Sequence, residues 1–162
     1  GDRIALVGRN GCGKSSLLKL LIGQPIAHTG TLEIGSRLTV SYVPQDMSFL
    51  SGSADNFAAE SEIDITLFKT ILRKLDFKRT QFTKDMSEFS MGQKKKVLLA
   101  RSLCQRANLY IWDEPLNYID VISRLQIETL ILEYKPTMLF VEHDEAFVND
   151  IATKVCRISL NQ

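Results

Sequence analysis

Gly8-Arg9-Asn10-Gly11-Cys12-Gly13-Lys14-Ser15 is the stretch that decides how this chain is read. It fits G-x-x-x-x-G-K-[ST], the spacing of a phosphate-binding P-loop. Its surroundings are those the motif needs. Ile4-Ala5-Leu6-Val7 reads as a short buried strand, and Ser16-Leu17-Leu18-Lys19-Leu20-Leu21-Ile22 as a helix. Glycines let the backbone turn tightly and aim successive N–H groups at phosphate oxygens. The helix that follows adds its positive N-terminal end. Gly8, Asn10, Gly11, Cys12, Gly13, Lys14, Ser15 and Ser16 are therefore the expected phosphate-binding set, with Lys14 reaching the β- and γ-phosphates and Ser15 holding Mg²⁺.

Working outward, the elements alternate. Thr31–Ile34 and Leu38–Val43 look like two strands joined across Gly35-Ser36, the second running into Pro44-Gln45. From Ser48 to about Ser87 the texture changes. Phe68, Ile71, Leu72 and Leu75 follow helical spacing, with Asp64 or Thr66 as N-cap, and the segment reads as a small helical insertion. A helix is expected over Ser90–Arg106 and a strand over Leu109–Trp112. Another helix runs from Asp120 until Pro136 stops it, and a strand spans Thr137–Glu142. A short helix holds Phe147, Val148 and Ile151, and the last strand covers Val155–Leu160. Strands alternating with helices imply a mostly parallel α/β sheet.

Composition sets wide bounds. The 162 residues are 44% hydrophobic and 24% charged, with a formal net charge of +1, so bulk charge gives no sign of a nucleic-acid partner. Lys94, Lys95, Lys96, Arg101 and Arg106 form a local basic cluster, which reads as a solvated helix face or a patch. Cys12, Cys104 and Cys156 are odd in number and lack metal-type spacing, which suits free thiols in a reducing cytoplasm. No apolar run approaches the roughly 20 residues of a membrane span. The chain opens at Gly1 almost on its first strand and is expected to be a fragment of something larger.

Four more sites carry chemistry. Asp113-Glu114 follows four apolar residues, and a carboxylate at the C-terminal end of a buried strand meets ligands in the crevice beyond. Asp113 is placed to hold the Mg²⁺ shell and Glu114 to act as the base that polarises the attacking water. Gln45, at a strand end before the insertion, can meet Mg²⁺ or that water. Ser90-Met91-Gly92-Gln93 opens the basic helix with a capping box, and the same hydroxyl, glycine N–H and helix end could grip a γ-phosphate brought by another domain. His143 ends a strand ahead of Asp144, an expected helix cap, at a place where it could contact the γ-phosphate.

This order (P-loop, Gln45, helical insertion, Ser-x-Gly-Gln, Asp-Glu, Asp120, His143) resembles the nucleotide-binding domain of ABC ATPases over nearly the whole chain. Gln45 looks like the Q-loop glutamine, Phe89–Gln93 the signature motif, Asp113 and Glu114 the Walker B pair, Asp120 the D-loop and His143 the switch histidine. The run Asp113-Glu114-Pro115-Leu116-Asn117-Tyr118-Ile119-Asp120 is similar to the ABC-F subfamily, and its variant residues to the Lsa and Vga type of antibiotic-resistance factor. The resemblance implies a P-loop NTPase fold of ABC type: one domain over 1–162, a mostly parallel sheet flanked by helices, and a helical subdomain over 48–90. It implies ATP and Mg²⁺ as cofactors, and catalytic roles for Gln45, Glu114 and His143. Metal contacts fall to Ser15, Gln45 and Asp113, and nucleotide contacts to the P-loop together with Ser90, Gly92, Gln93 and Asp120. The implied partners are a second ABC ATPase domain, met head to tail within one longer chain, and the ribosome; the implied setting is the cytoplasm. Phe89 and Met91 depart from the common Leu-Ser-Gly-Gly-Gln signature, and the A-loop strands that precede the P-loop are absent from these residues. The rival readings are the engine of a membrane transporter, a chromosome or DNA-repair ATPase, for which Ser48–Ser87 is too short, and a truncated non-catalytic scaffold.

Overall fold

The computed structural model describes residues 1–159 of the chain. Five short strands are separated by helices: β1 (Arg3–Val7), α1 (Lys14–Leu21), β2 (Val40–Val43), α2 (Ala54–Glu60), α3 (Ile65–Lys74), α4 (Met91–Cys104), β3 (Leu109–Asp113), α5 (Val121–Tyr134), β4 (Met138–Val141), α6 (Glu145–Ile151) and β5 (Lys154–Arg157). The strands form one sheet in the order β2-β3-β4-β1-β5, with every pairing parallel. A parallel sheet must be covered on both faces, which is why its strands read as nearly continuous apolar runs. Alternate residues sort the two sides. Ala5, Val43, Trp112 and Phe140 join the larger core with α4, α5 and α6. Leu6, Ile111 and Val141 join Leu18 of α1 in the smaller one.

The segment between β2 and α4 is helical, as its spacing predicts. Asp64 is the N-cap of α3 and accepts from the N–H of Leu67 at 2.6 Å. Helix α2, capped by Ser53, and two 3₁₀ turns (Arg79–Gln81 and Met86–Glu88) complete it. Phe68, Leu72, Leu75, Phe77 and Met86 continue the larger core rather than forming one of their own.

Three strand expectations are corrected. Thr31–Ile34 is irregular, and of Leu38–Val43 only Val40–Val43 is strand. No described strand pairs with Thr31–Ile34; Leu32, Ile34 and Leu38 stay exposed, and a hairpin with nothing against its apolar face is marginal. The last strand is Lys154–Arg157, not Val155–Leu160, because its register is set from Ile4 opposite Lys154 to Val7 opposite Arg157. Leu160 lies outside the described residues.

The register fixes where the site must lie. Val43 pairs with Trp112, Asp113 with Val141, and Leu6 with Val141. The loops that begin at Gly8, Pro44, Glu114 and Glu142 therefore leave the sheet together from its C-terminal edge.

Candidate functional site

At that edge the P-loop turns between β1 and α1. Gly11 and Gly13 sit at φ +78° and +93°, in the left-handed region that glycine adopts without strain. Gly8 is glycine for a different reason: a Cβ there would fall 2.6 Å from the carbonyl oxygen of Ile158 and 2.8 Å from Cys12 Sγ. Gly13 caps α1 with no side chain, so the first-turn N–H groups face the loop's concavity unshared by a capping oxygen. Lys14 is nearly buried, its Nζ donating to the carbonyls of Gly8 at 2.8 Å and Arg9 at 3.0 Å. Asn10, Gly11, Gly13, Lys14, Ser15 and Ser16 line a cavity of about 520 Å³ together with Gln45, Glu114 and His143. Gly8 and Cys12 are outside its wall; Cys12 is buried against the loop.

Glu114 is the hub of the cavity's far side. It follows the last residue of β3 at φ +49°, a left-handed conformation that costs a non-glycine residue about 1–2 kcal/mol. Its N–H still donates to Val141 at 3.0 Å, as if the strand continued. Three side chains from three loops converge on its carboxylate. Gln45 Nε2 donates to Oε2 at 2.9 Å, Asn117 Nδ2 donates to the same oxygen, and His143 Nε2 lies 3.2 Å from Oε1. Beside it, Asp113 is 1% exposed and neither carboxylate oxygen has a hydrogen-bond partner among the described residues. Burial pushes its carboxyl above the usual carboxylate range, against the weaker pull of the nearby Ser15 hydroxyl. An orphaned buried carboxylate beside a hydroxyl and an amide oxygen is a hard oxygen donor set, and it suits a divalent cation such as Mg²⁺. Ser15, Gln45 and Asp113 share a second, adjoining cavity of about 610 Å³, bounded also by Lys19, Tyr42 and Arg101.

The remaining predicted residues lie apart. Ser90, Gly92, Gln93 and Asp120 line a third cleft of about 250 Å³, shared with Lys78, Gln81, Lys96 and Tyr118 and with none of the P-loop. Ser90 and Gln93 form the predicted capping box, Ser90 Oγ accepting from the Gln93 N–H at 3.2 Å and Gln93 Oε1 from the Ser90 N–H at 3.0 Å. Asp120 caps α5 through Ser123 and meets Lys96 Nζ at 2.6 Å. Partial burial would raise its carboxyl, but the Lys96 and Ser123 hydrogen bonds prevail and hold it at about 2.

The family model described as ABC transporter matches residues 1–117. The chain belongs to the ABC transporter family of ATP-binding domains. It is 37% identical to YdiF of Bacillus subtilis over 98% of its own length, and 36% identical to the ATP-binding protein Uup of Escherichia coli over 95%. It spans about a quarter of each of those relatives, 25% and 26%. A crystal structure of the archaeal ribosome recycling factor aABCE1 with the stalk protein aP1 superposes with a TM-score of 0.79 at 27% identity, over 96% of this chain and 31% of the other. A cobalt transport ATP-binding protein, at 21% identity and a TM-score of 0.83 over 98% of this chain and 65% of the other, shares the fold.

In this ABC domain several contributing residues carry no role in the sequence reading. Asn117 and Glu142 sit in loops whose neighbours drew the attention. The basic cluster is a correction. Lys95 is fully buried and donates to the Pro44 carbonyl at 3.2 Å; Lys96 is buried on Asp120; and Arg101 donates to the Tyr42 carbonyl over the Phe57 ring. Of the cluster only Arg106 is exposed, and Lys94 is half-buried. A signal was available: three consecutive lysines on an α-helix span about 200° of its circumference, so they cannot all face solvent when an apolar run follows. No helix among the described residues is long and apolar enough to cross a membrane.

Proposed function

We propose that this domain binds and hydrolyses ATP as one half of a composite site in a twin-domain ABC-F protein that acts on the ribosome. The observation that supports the catalytic part best is the convergence of Gln45, Asn117 and His143 on Glu114, at the mouth of the P-loop cavity and beside the orphaned Asp113. Lys14 exchanges its loop carbonyls for phosphate oxygens, and the N–H groups of Gly11 through Ser16 hold the rest of the phosphate chain. Ser15, Asp113 and Gln45 hold Mg²⁺, which neutralises charge on the phosphate oxygens. Glu114 takes the proton of the attacking water, and Gln45, Asn117 and His143 fix its carboxylate for that task. Such chemistry depends on positioning and electrostatics more than on covalent steps.

The separation of the Ser90–Asp120 cleft from the P-loop cavity fits a trans role, in which Ser90, Gly92 and Gln93 act on a nucleotide held by the partner domain. The short helical segment over 48–90 would then move as a subdomain when the two halves close. Ribosome action is favoured by the likeness to the recycling factor, at 27% identity, over the fold-only likeness to a transporter subunit. The finer reading, ribosome protection against antibiotics in the cytoplasm, rests on the Leu116–Asp120 run.

Calorimetry of Mg-ATP with the domain and with Lys14→Ala tests the base of this proposal. Binding that vanishes in the variant supports it. Equal binding by both would remove the P-loop from the account.

A further inference from the structure

Glu142 links β4 to His143, and the catalytic reading leaves it without a task. It is nevertheless 6% exposed, and an acid taken out of water must find partners. Among the described residues all of its hydrogen-bond partners are backbone amides. Oε1 accepts from the N–H of His143 at 2.8 Å and from that of Asp144 at 3.5 Å. Oε2 accepts from the N–H of Leu116 at 3.1 Å. These amides belong to two different loops. One follows β4 and carries His143; the other follows β3 and carries Glu114 and Asn117.

We infer that Glu142 is a positioning residue that pins these two loops together and so fixes the distance between the His143 ring and the Glu114 carboxylate. The inference rests on the catalytic reading of those two residues. The Leu116 bond is the one that crosses between the loops, while the bonds from His143 and Asp144 hold the carboxylate against its own loop, and charge-assisted bonds of this kind are about twice as strong as neutral ones. None of them involves a P-loop residue, so the brace acts on the Glu114 side of the cavity and leaves the phosphate cradle alone. A compensating charge is at hand. Lys95, fully buried on α4, feels Asp113, Glu114 and Glu142 together while its Nζ holds the Pro44 carbonyl, one residue before Gln45.

Amide hydrogen exchange read by mass spectrometry on the full-length protein tests this directly, with wild type, Glu142→Ala and Glu142→Gln compared. In Glu142→Ala the segments carrying Leu116 and His143 should exchange at least about tenfold faster, while the P-loop and α1 keep the wild-type rate. Glu142→Gln retains one carbonyl acceptor and should restore protection to one of the two segments. ATP turnover of the same proteins should show kcat down at least about tenfold in Glu142→Ala with KM within about twofold, and an intermediate kcat in Glu142→Gln. Unchanged exchange at both segments overturns the inference. So does faster exchange across the whole sheet, which would make Glu142 a folding residue. A wild-type protein that binds ATP without turning it over would sink the catalytic reading instead, and the exchange data would still decide for or against the brace.

Discussion

Replacing Gly92 with alanine should damage the joint between the signature helix and the loop before α5 without touching the P-loop. A Cβ on Gly92 falls 2.5 Å from the carbonyl oxygen of Tyr118, where ordinary contact begins near 3.4 Å, so a gap of about 0.9 Å must open. The oxygen has little room to retreat. Tyr118 is itself at φ +66°, and the next N–H, that of Ile119, is bonded to Leu116 at 3.0 Å. Two residues on, Asp120 is held by Lys96 and Ser123. Overpacking against a fixed backbone atom costs about 1–3 kcal/mol. For a domain of this size each kcal/mol shifts the melting temperature by roughly 2–4 °C, so a fall of about 2–12 °C is expected. Gly11→Ala is the matched control. Nothing lies within 4 Å of its Cβ, and its cost comes from φ +78° alone. Thermal unfolding with and without Mg-ATP separates the two. Gly92→Ala should melt early yet keep the full nucleotide-induced rise, whereas Gly11→Ala should lose part of that rise. A Gly92→Ala domain that melts with the wild type would refute the packing argument. One that loses the nucleotide-induced rise would refute the separation of the two clefts.

Other consequences concern charge. Burial raises the Asp113 carboxyl, so the folded state disfavours its ionised form and loses stability as pH climbs through that raised value. Asp113→Asn should therefore melt higher than wild type at pH 7, with the advantage vanishing once the pH drops to the ordinary carboxylate value of 3.8. Equal melting at both pH values would contradict the burial argument. Asp120 has the opposite sign: its carboxyl is held at about 2 against an ordinary 3.8, so its contribution is present above 3.8 and fades as pH falls toward 2. Asp120→Asn should lack that acid-side slope. The effect should shrink in high salt, because the side chain is 45% exposed; a salt-independent difference would point away from the Lys96 pair.

Much of this was legible from residue order, because local rules and the global fold agree here. The P-loop spacing, the Ser90–Gln93 box, the caps Asp64, Asp120 and Asp144, and the apolar runs of β1, β3 and β4 are each short-range signals, and each appears where expected. Parallel pairing then carried Gln45, Glu114 and His143 to one edge. Readings that depended on what lies across the fold failed. The alternation in Thr31–Ile34 suggests a strand, but a strand exists only with a partner, and none of the described residues supplies one. The lysine run looked like solvated charge because no local rule shows that Pro44 and Asp120 wait on the other side of α4. Glu142 escaped for the same reason: its Leu116 partner is 26 residues away along the chain and meets it only once β3 and β4 lie side by side, whereas Asn117 reaches Glu114 within their own loop through a turn whose geometry no motif announces.

The proposed catalysis turns on Glu114, and its most direct test is steady-state ATP turnover by the full-length protein carrying Glu114→Gln, with nucleotide affinity measured alongside. Removing a positioned general base costs on the order of 10²–10⁴-fold, so kcat should fall at least about a hundredfold while ATP binding, which rests on Lys14 and the P-loop backbone, stays near the wild-type value. Turnover that survives the substitution unchanged would contradict the claim that the three side chains gathered on this carboxylate serve catalysis.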